Sequence, residues 1–291
     1  YDSRDESILD GAMALCREYE NRFSRTLSGS EVYRLNHRED ATGTYPLSDD
    51  MTDLLATALY YCERSGGAFD ITTEPLSSLW NFSGTSPSVP PAEAIEEARK
   101  KVDYKKLRLD GTRSTLTFLD PGTSIDLGAI AKGYIADQLK AYLLDSGVES
   151  AMINLGGNVL CVGSRPDGTP FTVGLQKPFA DRNETFAQVE VSDLSVVASG
   201  VYERHFVEDG KNYHHILDPS TGYPYDNGLI SVTILSERSV DGDALSTTCF
   251  SLGLSRGMEL VESMDGVYAC FIDEDYQIHY SDGMEKFLRK D

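Results

Sequence analysis

Residues 143–155 (LLDSGVESAMINL) and 260–272 (LVESMDGVYACFI) constrain this chain most tightly, because each runs from the end of a helix through a glycine into a strand. Glycine supplies the left-handed backbone that ends a helix, and the short apolar run that follows suits a strand. The fold must therefore hold helices and strands together. The likeness of the two stretches reads as an internal duplication of an Asp-led helix followed by a strand. On that reading the two helix starts face each other across one site.

Helical spacing of Ile8, Leu9, Ala12, Leu15, Cys16, Tyr19 and Phe23 predicts a core-facing helix over 8–23. A second helix begins after Ser48, an N-cap residue followed by two acids that favour the positive helix end, and stops at Gly66-Gly67. Residues 83–91 are a Ser, Gly and Pro-rich connection leading into a short charged helix that Pro91 starts. A strand is expected at 114–119, then a helix entered at 124–128 and continuing to 144, then a strand at 151–154. Asp209-Gly210 sits at the tip of a predicted hairpin with arms 204–208 and 211–217. The C-terminal part reads as a strand over 230–235, a helix from Gly242, another from Arg256, and strands at 267–272 and 277–280.

Composition narrows function. With 291 residues, 40% of them hydrophobic, the chain can bury one large core or two modest ones. A formal net charge of -21 repels polyanions, which excludes nucleic acid as a natural partner. An acidic protein that handles a phosphorylated ligand needs a divalent cation and a placed Lys or Arg to offset the repulsion locally. The five cysteines, Cys16, Cys62, Cys161, Cys249 and Cys270, are widely spaced in apolar runs and read as buried free thiols. No apolar run reaches the roughly 18 residues of a membrane span. The sequence starts at Tyr1 without a Met, so removal of an upstream segment is expected.

Several stretches could carry chemistry, and each has a plain structural explanation beside the functional one. In VDGDALSTT, Asp243 and Thr247 lie four apart, on one helix face, where hard oxygens suit Mg²⁺. An Asp near a helix start and a Thr bonding back to its own helix explain the same letters. In SIDLGAIAKGYIAD, Asp126 is placed at a helix start, with Lys132 about one and a half turns on, a candidate pyrophosphate cradle or a capped helix with a solvated lysine. NLGGN (154–158) permits close backbone approach or makes a turn, and in SGGAFDITTEPL only Asp70 asks for a role. SGVYERHF (199–206) reads equally as a salt-bridged surface strand. His214 and His215, in YHHILDPSTG, could be metal ligands, a base with its orienter, or part of a polar hairpin. No G-x-S-x-G elbow, H-E-x-x-H or C-x-x-C pattern is present, so a nucleophilic hydrolase or a zinc enzyme is poorly supported.

The order SGGAFDITTEPL, SIDLGAIAKGYIAD, NLGGN, SGVYERHF, YHHILDPSTGYP, VDGDALSTTCFSLG resembles the ApbE family, the FAD:protein FMN transferases, over nearly the whole chain. The resemblance implies a T-fold-like α+β architecture of mixed sheets flanked by helices, with residues 1–291 as one flavin transferase domain of two intertwined subdomains. Such enzymes cleave the FAD pyrophosphate with Mg²⁺ and pass FMN to a Thr hydroxyl of a partner flavoprotein, commonly a subunit of a membrane redox complex, releasing AMP. It implies metal ligation by the main-chain oxygen of Ala129, by Asp243 and by Thr247. FAD would be held by Ala68, Phe69 and Asp70, by Asp126 and Lys132, and by the backbone around Ile216. His215 would lie near the pyrophosphate, and His215 or Asp243 would activate the acceptor hydroxyl.

Two other activities remain open in the sequence: FAD hydrolysis to FMN and AMP at the same site, and flavin binding without turnover. With hard oxygens preferred for Mg²⁺, neither histidine is expected as a metal ligand. Strand alternation would put His214 and His215 on opposite faces. The chain departs from the family pattern at Ser246, where some members carry a second carboxylate, and at Thr26, where many present a Tyr; the family's first strand is mostly missing. Family resemblance further implies an extracytoplasmic location, with membrane anchoring through a removed N-terminal lipoprotein segment.

Overall fold

The structure, a computed structural model, describes every residue except Arg4, Arg182 and Asp291. In chain order its first elements are α1 (Glu6–Phe23), α2 (Glu31–Asn36), β1 (Gly43–Pro46), α3 (Asp49–Arg64), α4 (Glu74–Trp80) and α5 (Ala92–Arg99). Next come β2 (Leu107–Asp110), β3 (Thr115–Phe118), α6 (Ala131–Asp145), β4 (Ala151–Asn154), β5 (Asn158–Val162), β6 (Phe171–Gln176) and β7 (Thr185–Val191). The remainder is β8 (Ser195–Gly200), β9 (His205–Glu208), β10 (Lys211–His214), β11 (Leu229–Ser236), α7 (Ser239–Glu262), β12 (Tyr268–Asp273) and β13 (Ile278–Tyr280).

The chain forms two compact units, neither continuous in sequence. The first comprises Tyr1–Arg17, Ile130–Tyr202 and Asn227–Asp291; the second comprises Glu18–Ala129 and Glu203–Asp226. Helix α1 begins in the first and ends in the second.

In the first unit a six-stranded sheet runs in the order β13-β12-β11-β8-β5-β4. Alternation along β5 shows how it is covered. Leu160 and Val162 pack with Leu139 and Leu143 of α6, whereas Cys161 packs with Val173 of β6 and Val189 of β7. Helices therefore lie on one face and the β6–β7 hairpin on the other. Strand β11, buried at every position, has the continuous apolar character of a strand covered on both sides.

The second unit is organised around Trp80, whose ring packs with Leu76, Ile95 and Leu217 and stacks on Phe82. A three-stranded sheet, β1-β3-β2, and the β9–β10 hairpin complete it. The α+β class holds.

Every strand pairing among the described residues is antiparallel, so the sheets are not mixed. The two helix–glycine–strand stretches end differently. β4 is an edge strand, while β12 lies inside the sheet, so the likeness stops at the local motif.

Three local expectations change. Leu9 is 50% exposed and lies off the buried face of α1. Residues 124–130 are not helical, and α6 starts at Ala131. Asn36 explains this: its side chain accepts from Ile125 N and donates to Ile125 O, both at 2.8 Å, while Asp126 N donates to Ile71 O at 2.8 Å. Those bonds occupy backbone groups that a helix would use, and Ile125 and Leu127 are buried at the i, i+2 spacing of extended chain. The two predicted C-terminal helices form one element, α7, broken at Gly253 (φ 78, ψ 172), a conformation open essentially to glycine alone.

The five cysteines are free, and four of them are buried.

Candidate functional site

The chemistry of the first unit gathers where α6 and α7 begin. Asp243, in the second turn of α7 rather than at its start, is only 4% exposed. Its Oδ2 accepts from Gly133 N at 2.8 Å, in the first turn of α6, so the positive end of that helix faces the carboxylate. Burial pushes the Asp243 carboxyl above the usual range, and the Lys132 ammonium, the Gly133 N–H and the Asn158 amide pull it back. Asn158 is itself fully buried. The Asn158 Oδ1 accepts from Ser239 Oγ at 2.8 Å.

One turn after Asp243, the Thr247 hydroxyl lies 3.1 Å from Ser199 Oγ. Ser246 turns inward: its Oγ lies 2.8 Å from Ser199 Oγ and donates to Asp243 O at 2.9 Å. This set of oxygens fits Mg²⁺, a hard cation that takes few protein ligands and keeps waters. Among the described residues no group of three or more His, Cys, Asp or Glu forms a metal cluster, so a softer, ligand-rich site is not built.

In the second unit the predicted nucleotide contacts are held by internal bonds. Asp70 Oδ1 accepts from Thr72 N at 2.7 Å and Thr72 Oγ1 at 2.6 Å, and Oδ2 accepts from Tyr104 N at 2.8 Å. Burial raises its carboxyl; those bonds lower it. Phe69 is 3% exposed, with its N–H donated to Ser65 Oγ, and is core. The Ala68 carbonyl accepts from Tyr225 Oη at 2.9 Å. Ile216 has both backbone groups engaged, its N–H toward His214 Nδ1 at 3.3 Å and its carbonyl accepting from Tyr225 N at 3.0 Å.

Asp126, expected at a helix start, instead closes a turn by accepting from Gly128 N at 2.9 Å, and Arg25 Nε lies 3.2 Å from its Oδ2. Arg25 also reaches Ser78 Oγ at 2.8 Å. Ala129 is the last residue of this unit before the chain enters the other.

The two histidines part company. Buried His214 ends β10, its Nε2–H donated to Tyr225 O at 2.9 Å and its Nδ1 accepting from Ile216 N. That fixes one neutral tautomer, and burial pushes its pKa down from the ordinary 6.5 to about 4. His215 lies beyond the strand end, half-buried, with its N–H donated to Arg204 O at 3.1 Å. The DPSTG turn that follows is seated on Trp80, whose Nε1 donates to Gly222 O at 2.8 Å. A Cβ on Gly222 would meet Ile95 Cγ2 at 2.6 Å.

The profile of the ApbE family matches residues 1–272 of this chain. The chain belongs to the ApbE family. An FAD:protein FMN transferase of Klebsiella pneumoniae is 38% identical over 278 residues, covering 95% of this chain and 85% of that protein. One from Treponema pallidum is 34% identical over 298 residues, covering 97% and 82%. Among solved structures, the ApbE protein of Thermotoga maritima superposes with a TM-score of 0.90 at 31% identity, over 99% of this chain and 93% of that one. The flavin transferase ApbE of Vibrio cholerae gives 0.87 at 28%, over 98% and 92%.

Within this ApbE-family chain, the structure brings Lys132, Gly133, Asp243 and Thr247 together in one unit, and Ala68, Phe69, Asp70, Asp126, His215 and Ile216 belong to the other. Sequence reasoning missed Arg25 and Tyr225, and it carried Asp137, Asn158 and Ser199 only as letters of SIDLGAIAKGYIAD, NLGGN and SGVYERHF, without a role of their own. Asp137 carried a signal, since it follows Gly133 by four residues on α6 and so shares its face.

Proposed function

We propose that this protein transfers FMN from FAD to a threonine hydroxyl of a partner flavoprotein, releasing AMP, in a Mg²⁺-dependent reaction. The observation that carries this reading is the buried Asp243, held by the start of α6 beside Lys132 and followed one turn later by Thr247, in a chain that matches the family over residues 1–272. In the transfer, the threonine oxygen attacks the phosphorus on the FMN side of the pyrophosphate. A phosphoester forms, the P–O bond to the AMP phosphate breaks, and AMP leaves with the bridging oxygen. Mg²⁺, when bound, supplies neutralisation of the phosphate oxygens.

This chain's residues supply the rest. Asp243 and Thr247 offer oxygens to the cation. Lys132, in the first turn of α6, adds a positive charge where negative charge develops. His215 takes the hydroxyl proton, because a carboxylate committed to a cation is a poor base. In the second unit, Ala68, Phe69, Asp70, Asp126 and Ile216 form the proposed flavin-nucleotide side. With its polar groups internally bonded, that segment contributes shape more than free hydrogen-bonding groups.

Resemblance to the family supports a partner that is a membrane redox-complex subunit or an extracytoplasmic electron-transfer protein, and an enzyme that works outside the cytoplasmic membrane on a lipoprotein anchor. No helix among the described residues is long and apolar enough to cross a membrane.

The test is AMP release from FAD in the presence of a partner domain. It should rise with Mg²⁺, stop with EDTA, and fall by about three orders of magnitude in Asp243→Ala, a loss typical of removing a main electrostatic contributor. Full activity of Asp243→Ala would remove the basis of the metal assignment.

A further inference from the structure

Neither α6 nor α7 carries a side-chain cap of its own: Ile130 and Arg238 occupy the N-cap positions, and neither side chain caps its helix. Each helix is instead capped by a carboxylate from the other. Asp137, on α6, accepts from Ser239 N at 2.8 Å through Oδ1 and from Val240 N at 2.9 Å through Oδ2, satisfying the first two N–H groups of α7. Asp243, on α7, accepts from Gly133 N in the first turn of α6. The exchange is reciprocal and lies wholly within the first unit.

Gly133 makes the close approach possible, since a Cβ there would stand 2.3 Å from Ser239 O and 2.6 Å from the Val240 Cα. Two carboxylates and one glycine thus lock the starts of the two helices in a fixed register. A third tie, Ser239 Oγ to Asn158 Oδ1, fastens the same end of α7 to β5.

We propose that Asp137 is a positioning residue for Mg²⁺: by capping α7 it sets the height and rotation of that helix against α6, and so the place of Asp243 and Thr247. The inference rests on the proposed metal role of Asp243. Asp137 itself touches neither cation nor substrate. Its bidentate cap fixes α7 more tightly than one bond would, and the position of Asp243 Oδ2 is defined by a donor on the helix that carries Asp137. Groups that orient metal ligands affect affinity by about 10- to 100-fold when removed.

The experiment is calorimetric titration of the full chain with Mg²⁺ alone, alongside thermal unfolding, for wild type, Asp137→Asn, Asp243→Ala and Leu160→Ala. Leu160 is buried against α6 in the apolar core and serves as the control for general destabilisation. Asp137→Asn places an amide against two N–H donors and should weaken Mg²⁺ binding about tenfold or more. Leu160→Ala should lower the unfolding temperature and leave affinity unchanged. An Asp137→Asn protein that is destabilised like Leu160→Ala but binds Mg²⁺ as wild type does would overturn the positioning role and leave the metal assignment intact. Wild-type affinity in Asp243→Ala, or no binding by wild type, would overturn the metal assignment and this inference with it. If Asp137→Asn does not fold, Asp137→Glu keeps the charge and adds one methylene. A shifted affinity in that folded variant supports the proposal, and wild-type affinity counters it.

Discussion

At the scale of the residue, burial decides what each ionisable group can do. His214 is the sharpest case, because its Nδ1 accepts from Ile216 N and protonation would break that bond. With a folded pKa of about 4 against an ordinary 6.5, the unfolded chain binds the proton first. Stability from this group is therefore complete above pH 6.5 and is lost as pH falls toward 4, by roughly 3 kcal/mol. Denaturant unfolding of wild type should show that loss, and His214→Gln should show a clearly smaller slope across the same window. Equal slopes would mean that His214 does not titrate as its bonds require. The sequence paired the two histidines and gave neither a metal role. It could not show that one is a structural neutral imidazole, because that depends on Tyr225, eleven residues away, turning its carbonyl inward. Asp70 and Asp126 were singled out too, and besides their neighbours Thr72 and Gly128 they are tied by partners distant in the chain, Tyr104 and Arg25.

At the scale of the element, glycines fix where helices can lie. Gly133→Ala drives a methyl into the α7 backbone, which cannot move aside as a side-chain end could, so a loss of about 1–3 kcal/mol in stability is expected from chemical denaturation. Gly253→Ala forces a side chain into φ 78, ψ 172 and should cost about 1–3 kcal/mol as well. If unfolding midpoints for both variants match wild type, neither the close approach at Gly133 nor the backbone conformation of Gly253 carries a cost. Helices with local signals were legible: Ser48 caps α3, accepting from Met51 N, as its sequence context indicated. The start of α6 was not, because Ile125 and Asp126 owe their extended backbone to Asn36 and Ile71, and nothing nearby in sequence announces those bonds. α7 was divided at about the right place, yet its start was placed at Gly242 rather than Ser239, since its cap comes from Asp137 on another helix.

At the scale of the whole molecule, the chain enters the first unit, leaves it, returns, leaves and returns again, so residues far apart in sequence share one core. That discontinuity is why composition and periodicity gave the classes of element but not their grouping. The order of six short motifs, by contrast, identified the family without any of that geometry. The central claim is that the flavin nucleotide ends on another protein rather than in solution. Mass spectrometry of an acceptor flavoprotein domain, incubated with this protein, FAD and Mg²⁺, tests it directly. The account predicts one added FMN on a threonine, AMP in equal amount, and no label when that threonine is replaced by alanine or Mg²⁺ is chelated. Free FMN and AMP with an unlabelled acceptor would contradict it.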